Sequence, residues 1–276
     1  MELTPEQYFE WSYRFFLERE EQLSDRHERH LRIANRLTVR LKFAGEHMVA
    51  PFIRAFEHLV TEPVADPDLT ICIWDNPSNG DKVLLFPFNY DPEKTGRHKC
   101  GSLHIGFEPY PPRISLYSPE KKLALFWIGD IEKFPWYEQC RPLRNIIQWL
   151  ARRQGLFMVH AACVGTKRGG IILTGPKGAG KSTAALSALN SDLGYLADDL
   201  CLLGLENQQP TAYSLHTTGK LDGFDRLPEL EKHVHNQRRL EGEKAFFYID
   251  ECFPEKLLTE TQVVAIVVPT VTPGTR

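Results

Sequence analysis

The sequence predicts an α/β fold for its second half, preceded by an α+β module, with a division near Pro135. After Phe134-Pro135-Trp136, the apolar runs Leu156–Val164, Ile171–Thr174 and Tyr195–Leu203 alternate with helical spacing, the pattern of a sheet covered on both faces. Before it, several short β-like runs are separated by turn residues, which suggests antiparallel pairing. The third observation is a glycine-rich loop between a strand-like run and a helix, at residues 175–182.

The elements follow in order. Thr4-Pro5-Glu6 supplies a cap, a first-turn proline and an early acid, and no further Pro or Gly occurs to about Asn35, so one long helix is expected from Pro5. Arg36–Phe43 alternates apolar and polar residues as a half-buried strand does, and His47–Val60 carries Phe52, Phe56 and Leu59 at helical spacing. Leu69–Trp74, Lys82–Pro87, Ser102–Phe107, Arg113–Tyr117 and Lys122–Ile128 read as short strands. In the second half, Glu138–Arg153 reads as a helix closed by Gly155. A helix from Lys181 to about Asn190 and a final strand over Glu260–Pro269 complete the pattern.

Gly175-Pro176-Lys177-Gly178-Ala179-Gly180-Lys181-Ser182 satisfies every fixed position of a phosphate-binding P-loop, in the strand–loop–helix setting that motif needs. Glycines let the loop close around an anion and turn backbone N–H groups inward. The helix that follows, opening with Lys181, Ser182 and Thr183, offers unpaired N–H groups and a positive dipole end. Lys181 adds a point charge for the β- and γ-phosphates, and the Ser182 hydroxyl suits a Mg²⁺ shell. A lysine at a helix start is unfavourable unless an anion answers it, which argues against an ordinary glycine turn.

Asp198 and Asp199 end the next β-like run, seventeen residues beyond Lys181. An isolated Asp-Asp is more often a solvated turn, but an acid at this place in a P-loop enzyme holds Mg²⁺. One carboxylate on the metal leaves the other to accept a proton from an incoming hydroxyl. His160 lies on the strand before the P-loop strand; a hairpin through Thr166–Gly169 would bring it near the phosphates.

Together His160-Ala161-Ala162-Cys163-Val164, the glycine loop and Leu196-Ala197-Asp198-Asp199 resemble the catalytic domain of the HPr kinase/phosphorylase family over about forty-five residues. That resemblance implies a P-loop kinase using ATP or GTP with Mg²⁺ to phosphorylate a serine of a small protein. It implies Lys181 on the phosphates, Ser182 and Asp199 on the metal, and Asp198 as the general base. His160 would sit beside the transferring phosphate and tune the base. The family's later loop, with an acidic ligand and an arginine, has no match here. The nearest segment is Tyr213–Leu221, in which Lys220 supplies a positive charge for the phosphates. The whole arrangement is similar to HPr-kinase homologues encoded beside peptide-modification genes, including the lasso-peptide kinases, which phosphorylate a precursor's C-terminal serine.

Composition fits this expectation. Among 276 residues, 33 basic against 36 acidic side chains leave −3, so no global field favours nucleic acid or anionic lipid. No apolar run approaches the ~20 residues of a membrane span. The start Met1-Glu-Leu-Thr-Pro-Glu lacks the pattern of a signal peptide, and six dispersed cysteines read as free thiols, so the expected location is the cytoplasm. The expected partner is a peptide or small protein bearing the acceptor serine, with a homo-oligomer compatible and neither nucleic acid nor membrane implied. Two rivals remain at this stage: a non-catalytic nucleotide-sensing module, and a kinase acting on a small-metabolite hydroxyl.

Overall fold

A computed structural model describes residues 3–76, 94–224 and 227–270. The described residues form a mixed α/β structure with three sheets, and the chain divides into two compact units. The first unit comprises Met1–Arg54 with Leu59–Leu150; the second comprises Ala55–His58 with Ala151–Arg276. The division therefore falls after Leu150 and reassigns a short early segment, whereas the sequence places it near Pro135.

The first unit opens with α1 (Pro5–Glu20), whose Thr4 hydroxyl accepts from Gln7 N–H at 3.2 Å while the Gln7 side chain accepts from Thr4 N–H at 2.9 Å. The helix stops at Glu20, far short of Asn35. Residues beyond the charged turn form β1 (His27–Ile33), which pairs antiparallel with β2 (Leu37–Phe43) across its full length. Nothing in His27-Glu-Arg-His-Leu-Arg-Ile announces a strand by itself; the partner strand supplies the backbone bonds and the buried side for Leu31 and Ile33.

The expected helix over His47–Val60 is shorter and broken: 3₁₀ turns flank α2 (Val49–Ile53). Beyond it come β3 (Val60–Thr61), β4 (Leu69–Asp75), β5 (Gly96–Cys100), β6 (Leu103–Glu108), β7 (Arg113–Ser118) and β8 (Leu123–Ile128). The expected strand Lys82–Pro87 lies outside the described residues. The eight strands lie in the order β3-β1-β2-β4-β8-β7-β6-β5. The sheet is mixed and not purely antiparallel, because β2, β4 and β8 run parallel to one another. The helical segment between β2 and β4 supplies the long crossover that a parallel pair needs.

Both faces of this sheet are covered, and every residue of β7 and β8 is buried. Tyr8, Phe9 and Phe16 of α1 pack with Trp74, Leu125 and Trp127. Elsewhere on the sheet, the Phe52 ring meets Phe126 at 5.3 Å and Phe134 at 4.9 Å. The helix expected over Glu138–Arg153 is two helices, α3 (Trp136–Gln139) and α4 (Arg144–Arg153). Pro142 cannot continue the ladder and biases Arg141 away from helix, and Leu143 then takes φ +57° before α4 starts.

The second unit contains β9 (Phe157–His160), β10 (Ala162–Thr166), β11 (Gly169–Leu173), α5 (Lys181–Ser187), β12 (Gly194–Ala197), β13 (Leu200–Glu206), β14 (Gln209–Tyr213), β15 (Thr218–Leu221), β16 (Ala245–Tyr248), α6 (Ile249–Cys252) and β17 (Glu260–Val267). Seven strands run β12-β10-β11-β17-β14-β13-β9; β15 and β16 form a separate pair. Strand β11, which leads into the glycine loop, pairs antiparallel with β10 and parallel with β17. Alternation along these strands serves two cores. Ala162, Val164 and Tyr195 pack towards Ala185 and Leu186 of α5, while Ala161, Cys163 and Leu196 pack with Ile172 and Cys201.

The apolar runs expected over Leu156–Val164 and Tyr195–Leu203 are each two strands joined by an interruption. His160 pairs with Leu200 and Cys163 with Ala197, three steps along one strand against three back along the other. The two long runs thus share one antiparallel register, and residues 198–199 leave the ladder where the run bends.

Candidate active site

The glycine loop joins β11 to α5. Gly175, Gly178 and Gly180 take φ +142°, +85° and +90°, a region where a side chain brings strain. A Cβ on Gly178 or Gly180 would meet nothing within 4 Å, so these glycines serve backbone shape and leave the loop's mouth open. Pro176, Lys177 and Gly178 are exposed, Ala179 is half-buried, and Thr183 is exposed on the first turn of α5.

Lys181 is 7% exposed, and its ammonium donates to the Gly175 carbonyl at 2.8 Å and the Pro176 carbonyl at 3.1 Å. Its charge is thus folded back on the loop's own oxygens.

Asp198 and Asp199 occupy the break between β12 and β13 and face different surroundings. Asp198 is 3% exposed; its Oδ2 accepts from the Lys220 backbone N–H at 3.0 Å, and its Oδ1 is buried without a hydrogen-bond partner. Burial pushes this carboxyl above the usual aspartate range, against the opposing pull of the Lys220 charge and the Ser182 side chain. Ser182 therefore lies close enough to favour the carboxylate, though without a contact of full hydrogen-bond geometry to Oδ1. Asp199 Oδ1 lies 3.1 Å from His160 Nε2 and its Oδ2 lies 2.6 Å from Lys220 Nζ. The His160 side chain is 65% exposed, whereas those of Asp199 and Lys220 are largely covered.

Lys181, Ser182 and the acid pair thus surround one end of the glycine loop, with Lys220 and His160 joined to them through the acids. The histidine pairs with Asp199 and not with Asp198, the opposite of what the family resemblance implies for a histidine tuning the base. Lys220 contacts the two acids. The sequence could not show that β15 presents both its backbone N–H and its ammonium to them. Gly219 permits this approach: a Cβ there would come within 2.8 Å of the Phe247 ring and 3.0 Å of Leu186.

The residues fit a magnesium nucleotide on two observations: the open glycine mouth, and a buried carboxylate oxygen lacking a partner beside a serine hydroxyl. Among the described residues no group of three or more His, Cys, Asp or Glu side chains is placed to hold a metal ion. A separate open cleft of about 720 Å³ lies between Lys167, Glu206, Thr211, Thr259 and Gln262, and none of the site residues line it.

No protein-family model matches the chain, and no curated protein matches it. Among solved structures it is similar to the HPr(Ser) kinase/phosphatase from Coxiella burnetii, at 15% identity and a TM-score of 0.31, over 43% of this chain and 68% of that one. A likeness at that level does not establish a shared fold. No helix among the described residues is long and apolar enough to cross a membrane.

Proposed function

We propose that the chain is a nucleotide-dependent kinase that transfers a phosphoryl group to a serine hydroxyl of a peptide or small protein. The observation that carries this is the second carboxylate. A module that only senses nucleotide needs one acid for the metal, whereas this loop is flanked by two acids with different partners.

The geometry favours exchanging the roles that the resemblance implies. Asp198, beside Ser182 and with an unpartnered oxygen, would hold Mg²⁺ with that serine. Asp199, paired with an exposed histidine, would take the proton of an incoming hydroxyl, with His160 orienting it. The loop N–H groups and Lys181 hold the β- and γ-phosphates, once Lys181 swings from the Gly175 and Pro176 carbonyls. Lys220 holds Asp199 in place until substrate arrives and then serves the phosphate oxygens. Bound Mg²⁺ would supply charge neutralisation on the transferring group.

Incubation of the protein with ATP or GTP, Mg²⁺ and serine-bearing peptides tests this. A peptide mass increased by one phosphate supports it; nucleotide binding with no transfer to any peptide favours the sensing module. Transfer to free serine or a sugar, but to no peptide, favours the metabolite kinase.

A further inference from the structure

The first unit carries a charged cluster that the P-loop site does not use. Glu108 closes β6, Arg113 opens β7, Glu138 lies in α3, Arg141 in the following link, and Arg144 and Asn145 begin α4. Arg113 is the anchored member: Nε donates to Glu108 Oε2 at 3.1 Å, and Nη1 donates to the carbonyls of Tyr110 and Pro111. Glu108 is shared further, with Oε1 accepting from Asn145 at 3.5 Å and lying 3.6 Å from Arg144 Nη2.

Arg144 is the unsatisfied member. Its side chain is 25% exposed, it makes no hydrogen bond among the described residues, and its Nε is buried without a partner. Arg144 also opens a ten-residue helix with no acid in its first turn, where the dipole opposes a cation. Burial and the charges of Arg141 and Arg97 further disfavour its charged form. The nearby acids offset this poorly. Glu108 is already bonded to Arg113, and Glu138 lies against the same arginine, its Oε1 4.0 Å from Arg113 Nη2. Among the described residues, four guanidinium groups (Arg97, Arg113, Arg141, Arg144) thus face two carboxyls. A desolvated cation left this way costs stability unless something answers it.

We propose that Arg144, flanked by Arg141 and Arg97 at the start of α4, is the centre of an oxyanion site that binds a carboxylate or a phosphate group. The guanidinium presents a planar fork that matches either anion bidentately, and the quarter of the side chain left exposed is where such a ligand would reach it. The inference does not depend on the kinase proposal, because none of these residues belongs to the P-loop unit.

Nuclear magnetic resonance on the full chain tests it, following the Arg144 Nε–H signal and the indole signal of Trp149, one turn beyond Asn145 on α4, during titration with inorganic phosphate and separately with N-acetylglutamate. Saturable movement of both signals with either anion is expected, and the anion that moves them identifies the class. Arg144→Lys, which keeps the charge and loses the fork, should weaken the Trp149 response about tenfold. Signals unmoved by both anions, or an undiminished Trp149 response in a folded Arg144→Lys variant, would overturn the proposal.

Discussion

The Lys220 ammonium lies 2.6 Å from Asp199 Oδ2, which places a cation of the chain itself on a carboxylate proposed to serve phosphoryl transfer. The same residue's backbone N–H bonds Asp198, so β15 holds both acids from one position. A divalent ion entering the site must therefore contend with a charge already present.

That competition is measurable. Lys220→Met should bind Mn²⁺ alone about tenfold more tightly than the native chain, because one favourable charge contact no longer opposes the metal. The same variant should lose phosphoryl transfer. Unchanged or weaker Mn²⁺ affinity by calorimetry would remove Lys220 from this role.

Asp198→Asn separates stability from function. The buried carboxylate is desolvated and one oxygen lacks a partner, while an asparagine oxygen still accepts the Lys220 N–H. Ligand-free Asp198→Asn should be more stable by about 1 kcal/mol in urea unfolding at neutral pH, and should lose metal-dependent nucleotide binding. Asp199→Asn should keep nucleotide binding and lose transfer.

Gly180 precedes α5 at φ +90°, with open space where a Cβ would stand. Gly180→Ala should cost about 1 kcal/mol or more through backbone strain alone. Nucleotide affinity should fall with it, since the loop's N–H groups lose their aim. An alanine variant with native stability and affinity would show that the loop does not need this conformation.

His58 provides a pH signature in the second unit. Its Nε2 lies 2.9 Å from Ser214 Oγ, and burial pulls its pKa down from 6.5 to about 4. The unfolded chain takes up this proton first as pH falls, so stability is full above 6.5 and declines progressively towards pH 4. The loss should reach about 3 kcal/mol. His58→Gln should flatten that part of the stability profile; an equally steep decline in the variant would assign it to other groups.

Where local chemistry decides, the sequence is a good guide. The strand and helix on either side of the glycine loop, the capped start of α1 and the alternating Leu37–Phe43 strand each appear in the structure as their residues suggest. His160 reaches Asp199 by a route other than the hairpin through Thr166–Gly169 that the sequence suggests: its strand β9 pairs with β13 and not with β11, which pairs with β10. What was illegible depends on distant partners. Strand β1 has helix-compatible residues and becomes a strand only because β2 lies beside it. Pro142 was visible, yet the neighbouring Leu143–Leu150 periodicity hid its effect on the helix. The exchange of partners between Asp198 and Asp199 follows from a bend in the ladder, which no residue spacing records.

The central claim is that the loop ending in Lys181 binds a nucleotide through its phosphates. Calorimetric titration of ATP and GTP, with and without Mg²⁺, into the native chain and into Lys181→Ala tests it most directly. The account predicts one saturable site in the native chain, strengthened by Mg²⁺, and its loss in a Lys181→Ala protein that keeps native circular dichroism. Absence of binding by the native chain under every condition, or equal binding by Lys181→Ala, would contradict it.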